Sequence, residues 1–152
     1  MKILVTGANG QLGYDIIREA KKHNIEAIGV DIKEMDITDK QQVQKVITRD
    51  YDAVVHCAAW TAVDKAEDCI EQCRKVNTVG TENIAEVCRQ YDIPMMYFST
   101  DYVFDGNGEK PWNEYDKRDP LNVYGQTKYE GELIVEKLKK HFLSSAFLGY
   151  LV

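Results

Sequence analysis

The stretch Lys2-Ile3-Leu4-Val5-Thr6-Gly7-Ala8-Asn9-Gly10-Gln11-Leu12-Gly13 decides how this chain is read. A short β-rich run enters glycines spaced GxxGxxG, and from Gln11 to His23 the apolar positions Leu12, Ile16, Ile17 and Ala20 recur at helical spacing. A strand that turns through glycines into a helix is the opening of a βαβ unit. The alternation continues: a second strand from Glu26 to Val30, then a helix capped by Thr38 or Asp39 that runs through Arg49 with Val43, Val46 and Ile47 inward. A third strand spans Ala53 to Cys57, and a mostly helical stretch from Val63 to Tyr91 has its expected break near Val79-Gly80. Pro94 to Phe98 is a fourth strand, 101–122 a loop holding Gly106, Gly108, Pro111 and Pro120, and Tyr124 to His141 a charged amphipathic helix. Strands alternating with helices predict an α/β fold with a doubly wound parallel sheet.

Composition sets the outer bounds. The 152 residues are 44% hydrophobic and 29% charged, a globular balance that excludes disorder and coiled coil. Nineteen Lys and Arg against 25 Asp and Glu leave a net charge of −6, which argues against nucleic acid as a partner. Met1-Lys2-Ile3 leads directly into a strand, and the apolar runs are short, so the expectation is a cytoplasmic chain with no membrane partner. Cys57, Cys69, Cys73 and Cys88 are expected to be reduced and structural, and no Cys or His spacing suggests a metal site.

A glycine triplet also serves an ordinary strand-to-helix turn, so its context carries the reading. Gly7, Gly10 and Gly13 let backbone approach a pyrophosphate, and the helix start that includes Gln11 and Leu12 offers free N–H groups and partial positive charge. Asp31 ends the second strand, 18 residues after Gly13, where a carboxylate can take both hydroxyls of an adenosine ribose. This predicts a Rossmann-like site for NADH or NADPH. Asp31 would repel a 2′-phosphate, tilting the choice toward NADH, and Lys33 is the nearby cation that would favour NADPH. Asp36 and Ile37 would hold the adenine by an acceptor and an apolar contact, although Asp36 also fits a helix cap. Ala58, Ala59 and Trp60 place small residues where a cofactor ribose must pass close to backbone, as tight packing would also require.

Tyr124 and Lys128 stand four apart on one helix, hence on one face. Such a pair is common by chance and gains meaning beside a dinucleotide site. A neighbouring ammonium stabilises a phenolate, so Lys128 is expected to tune Tyr124 as proton donor while also holding a ribose hydroxyl. Thr100, at the carboxyl end of the fourth strand, would donate a hydrogen bond to a substrate carbonyl, or else serve as a turn hydroxyl.

Ser99-Thr100-Asp101-Tyr102-Val103-Phe104-Asp105-Gly106 and Ala62-Val63-Asp64-Lys65-Ala66-Glu67, together with these motifs, resemble the dTDP-4-dehydrorhamnose reductase family of the extended short-chain dehydrogenase/reductase superfamily. The resemblance covers Met1 to about His141. It implies Gly10, Gln11 and Leu12 at the pyrophosphate, Asp31, Asp36 and Ile37 at the adenosine half, and Ala58, Ala59 and Trp60 on the nicotinamide side. It also implies Thr100, Tyr124 and Lys128 as the catalytic set, with Thr100, Asp101 and Tyr124 touching the substrate, a dTDP-4-keto-6-deoxy sugar in dTDP-L-rhamnose synthesis. Trp60 stands where the family often has His or Tyr.

Members of that family are longer, so the expected arrangement is an NAD(P)-binding domain at 1–141, truncated after the catalytic helix with the substrate domain absent, and a non-family tail at 142–152. Written back as TTA-TCG-TCC-GCA-TTT-CTT-GGG-TAT-TTG-GTN and read two bases on, residues 143–152 become Ile-Val-Arg-Ile-Ser-Trp-Val-Phe-Gly, the strand expected there, which points to a frame-shifted tail. Two functions follow: a sugar-nucleotide reductase, or a non-catalytic dinucleotide-binding or regulatory module. A homodimer stays open.

Overall fold

The computed structural model describes residues 1–107, 111–113, 115–137 and 142–147. Its centre is β1 (Lys2–Thr6), whose Leu4 and Val5 are fully buried. Burial of consecutive residues means that both faces of the strand are covered, as a parallel sheet requires. β1 pairs in parallel with β2 (Glu26–Val30) on one side and β3 (Ala53–His56) on the other, and β3 continues to β4 (Met95–Thr100) and β5 (Phe142–Phe147). The order is β2-β1-β3-β4-β5. The chain leaves β1 in one direction and returns on its other side, so a crevice opens at the carboxyl ends of β1 and β3, where such sheets bind ligands.

Helices cover both faces. Ile3, Val5 and Val55 pack with Ala20, Ile16 and Ile17 of α1 (Gln11–Lys22). On the opposite face Leu4, Val54, Met95 and Tyr97 meet Val43 of α2 (Lys40–Val46), Ile84, Val87 and Cys88 of α5 (Thr81–Tyr91) and Val135 of α6 (Val123–Glu136). Between them lie α3 (Val63–Asp68), α4 (Ile70–Arg74) and a π-helical segment, Lys75–Gly80. Among the described residues no helix is long and apolar enough to cross a membrane.

Several boundaries differ from the sequence reading. Asp39 caps α2 by accepting from the Gln41 and Gln42 amides, but the helix stops at Val46 rather than Arg49, because fully buried Ile47 turns to extended backbone to reach the core. The long helical stretch breaks at Cys69 and widens into the π segment instead of simply interrupting near Val79-Gly80. β3 ends one residue early, at His56, and β4 runs two residues further than expected, to Thr100.

The extension of β4 runs beside the segment read as a non-family tail, where Phe142–Phe147 is a strand in parallel register with β4, Met95 opposite Phe142 and Thr100 opposite Phe147. The edge of β4 offers a ladder of backbone donors and acceptors, which this extended segment pairs with. Gly108, the expected last helical turn at 138–141 and residues 148–152 lie outside the described residues.

Candidate active site

A cavity of about 1240 Å³ occupies the crevice at the switch point. Its floor is the glycine turn. Gly7 has a φ of +66°, and a side chain there would meet the Ala58 backbone nitrogen at 2.7 Å. A Cβ on Gly13 would lie 2.3 Å from the Gly7 carbonyl oxygen, so the turn and the first helical residues are packed backbone on backbone. α1 therefore starts at the cavity wall. Gly10 gives it no side-chain cap, and its first turn holds no acidic residue, leaving the amides at Gln11, Leu12 and Gly13 available to an anion. This donor set fits a dinucleotide pyrophosphate.

Asp31 stands at the end of β2 with Oδ2 accepting from the Asn9 amide at 3.0 Å and Oδ1 from the Ile32 amide at 2.8 Å. It thereby ties the glycine turn to the second strand while lining the cavity. Asp36 Oδ1 accepts from the Thr38 amide at 2.9 Å, a local turn, and capping of α2 falls to Asp39 instead. Asp36 and Ile37 line the same end of the cavity as Asp31, and Ala58 and Ala59 line it beyond β3. Trp60 is not brought there. Its backbone is gripped by Asn77, which accepts from the Trp60 amide at 2.8 Å and donates to its carbonyl, and its indole donates to the Ala62 carbonyl.

His56, 2% exposed, joins β1 to α5. Thr81 donates its hydroxyl hydrogen to the Asn77 carbonyl at 2.7 Å, so its oxygen accepts from His56 Nε2–H at 3.1 Å. That leaves Nδ1 to accept from the Thr6 hydroxyl at 2.8 Å, whose oxygen takes the Ala58 amide at 3.2 Å. Donor and acceptor roles are thus fixed along the whole chain. Burial, reinforced by the Lys128 cation, pushes His56 down to about 3, so the ring is neutral.

The opposite wall carries the expected catalytic residues. Tyr124 is half-buried, edge-on to Tyr102 with ring centroids 5.6 Å apart. Burial raises its phenol above the ordinary tyrosine range, and the Thr100 hydroxyl beside it pulls the other way. The Thr100 hydroxyl donates to Asp101 at 3.1 Å and accepts from the Tyr102 amide, so it also serves as the turn hydroxyl that starts the short 3-10 turn Asp101–Val103. Lys128, 5% exposed, donates from Nζ to the Phe98 carbonyl at 2.6 Å and lies over the Tyr97 ring at 4.2 Å. Burial pulls its ammonium down to about 8, with Glu132 opposing. The sequence reading has this ammonium lowering the Tyr124 phenol. In the structure its Nζ donates to the Phe98 carbonyl of β4, and the buried phenol keeps its proton at neutral pH.

Thr100, Asp101, Tyr124 and Lys128 thus share one cavity with Gly7, Gly10, Gln11, Leu12, Gly13, Asp31, Asp36 and Ile37. A proton donor, a cation, a hydroxyl and a carboxylate face a cradle suited to a phosphate, the arrangement for adding a proton to an oxygen beside a bound cofactor. Sequence reading missed Thr6, His56 and Asn77. Asn77 left a signal, as a poor helix former inside a helical pattern.

Residues 1–144 match the family model described as the RmlD substrate binding domain. The chain is 39% identical over 133 residues to dTDP-4-keto-6-deoxy-D-glucose reductase of Streptomyces niveus, covering 87% of this chain and 46% of that protein. A dTDP-4-dehydrorhamnose reductase structure from Clostridium acetobutylicum superimposes with a TM-score of 0.91 at 41% identity, over 95% of this chain and 52% of that one. Another, from Bacillus anthracis in complex with NADP, gives 0.89 at 35% identity over 94% and 51%. The chain spans about half the length of the curated relatives it matches.

Proposed function

Because this chain belongs to the RmlD substrate binding domain family, we propose that it is the nicotinamide-dinucleotide half of a dTDP-4-dehydrorhamnose reductase, acting on the 4-keto group of a dTDP-6-deoxy-4-hexulose. The observation that supports this is the meeting, in one cavity, of an uncapped glycine-rich helix start, Asp31, and the set Thr100, Tyr124 and Lys128. Residues 1–141 form the cofactor domain on this reading, with β5 closing its sheet edge.

When bound, the cofactor supplies hydride to the sugar carbon. The chain's own residues do the rest. The amides at Gln11, Leu12 and Gly13 hold the pyrophosphate beside Gly10, Asp31 takes the adenosine ribose, and Asp36 with Ile37 borders the adenine. Asp31 favours NADH, since its carboxylate would repel a 2′-phosphate. Thr100 and Asp101 orient the sugar, and the phenol of Tyr124, protonated at neutral pH, delivers its proton to the C4 oxygen. Lys128 holds the nicotinamide ribose and offsets negative charge left on the phenol.

Calorimetric titration of the chain with NADH, then assay of reduced-nicotinamide absorbance with a dTDP-4-keto-6-deoxy sugar, tests both parts. Saturable NADH binding is expected; its absence at millimolar cofactor refutes the reading. Binding without turnover even when the chain is joined to the second half of a relative identifies a non-catalytic dinucleotide-binding module.

A further inference from the structure

Three successive residues of β4 are fastened to α6 by polar bonds. The Tyr97 hydroxyl donates to the Lys128 carbonyl at 3.1 Å, Lys128 Nζ donates to the Phe98 carbonyl at 2.6 Å, and the Ser99 hydroxyl donates to Glu132 Oε1. The last two rungs come from side chains one helical turn apart and of opposite charge. They end on adjacent β4 residues, immediately before Thr100. Glu132 is 4% exposed, an expensive place for a carboxylate unless it is paired. Its second oxygen faces Arg118 Nε at 2.8 Å, and the same guanidinium reaches Glu136 at 2.9 Å while lying over the Tyr129 ring. Arg118 belongs to the segment between β4 and α6, so the carboxylate joins strand, helix and loop.

A hydrogen bond to Ser99 alone would be served by glutamine, without the cost of a buried charge. The charge itself has one buried cation on its own helix face, Lys128. We propose that Glu132 is a positioning residue: anchored by Ser99 and Arg118, its carboxylate keeps the Lys128 ammonium charged and pinned at the end of β4. This rests on the reading of Lys128 as the cation of the active site. The groups facing Lys128 are His56 and Cys57 from β3 and its exit, Cys73 from α4, Tyr97 from β4, and Tyr124 and Glu132 from α6. His56 is neutral and Cys57 and Tyr97 are held protonated by burial, which leaves Glu132 as the carboxylate among them. Arg118 and Glu136 act on it from outside, and burial raises its own carboxyl.

The test follows the Lys128 side-chain carbon next to nitrogen by NMR against pH in the carbon-13 lysine-labelled chain, with Lys128→Met to assign the signal. It needs no cofactor, so its failure is separate from a failure to bind NADH. In the native chain the signal should titrate below the surface lysines and show a second inflection as Glu132 takes its proton. Glu132→Gln should lower the midpoint by about one pH unit or more, and Glu132→Asp should restore most of it. A folded Glu132→Gln chain with an unmoved midpoint overturns the proposal. If that variant does not fold, the native chain decides alone: a single step in the ordinary lysine range, with no second inflection, overturns it.

Discussion

Gly13 and Gly10 look alike in sequence, yet the structure assigns them different work, and alanine at each separates the two. At Gly13 the new Cβ would lie 2.3 Å from the Gly7 carbonyl oxygen, 2.9 Å from the Gly7 carbonyl carbon and 3.0 Å from the Ala8 Cα, all backbone that no rotamer change can clear. Overpacking of this kind costs about 1–3 kcal/mol. At Gly10 the backbone is extended, with φ −78° and ψ 164°, and a new Cβ meets only the Gly7 carbonyl oxygen, at 3.3 Å, a tight contact relieved by a shift of a few tenths of an ångström, so the effect on stability should stay below about 1 kcal/mol. For a domain of this size each kcal/mol moves the melting temperature by about 2–4 °C. Gly13→Ala should therefore melt about 2–12 °C below the native chain, and Gly10→Ala close to it. Calorimetric NADH titration of the same proteins should show binding weakened by Gly10→Ala despite its intact fold, because the methyl group enters the space meant for the pyrophosphate. A Gly13→Ala chain that melts like native, or a Gly10→Ala chain that loses stability and keeps its affinity, would refute the assignment.

Asp31→Ala should raise the affinity for NADPH relative to NADH, since the lost acceptor is worth about 1.5–3 kcal/mol toward ribose hydroxyls; an unchanged ratio of the two calorimetric Kd values counts against Asp31 at the ribose. His56 is pushed down to about 3 in the folded chain, so between that value and the ordinary histidine range the unfolded chain binds the extra proton. Its contribution to stability is full above about pH 6.5 and falls by about 1.4 kcal/mol per unit as pH drops toward 3, a slope that urea unfolding at pH 6.5 to 5 should find steeper in the native chain than in His56→Gln. Asn77→Ala removes the partner of the Trp60 amide and a bond to Thr127 at 3.1 Å, and should cost about 1–3 kcal/mol in thermal unfolding. With the chain joined to the second half of a relative, Tyr124→Phe should lower kcat by about two to four orders of magnitude with NADH affinity little changed, whereas Lys128→Met should weaken both.

The parts legible in the sequence are those governed by local rules. The run from Lys2 to Gly13 shows strand, turn and helix through period and glycine spacing alone, and Asp39 announces its cap in the same way. What stayed hidden depends on partners distant in the chain. The tautomer of His56 follows from Thr6 and Thr81, and the ammonium of Lys128 is directed by the Phe98 carbonyl, neither of which helical spacing reveals. Trp60 is turned away by Asn77, 17 residues on. β5 takes its register from β4, a strand more than 40 residues earlier in the chain.

The position of β1 in the middle of the sheet has a consequence for synthesis. Ile3 pairs with Ala53, so the ribosome adds 50 residues after Ile3 before that neighbour exists. At about 5–20 residues per second this takes roughly 2.5–10 s, during which Leu4 and Val5, fully buried at the end, have at best the one strand β2 beside them. Pairings between residues so far apart also form slowly once the chain is complete. The nascent chain thus carries its central strand unprotected for seconds, and its yield in a cell should depend on chaperones that shield a strand emerging ahead of its partners.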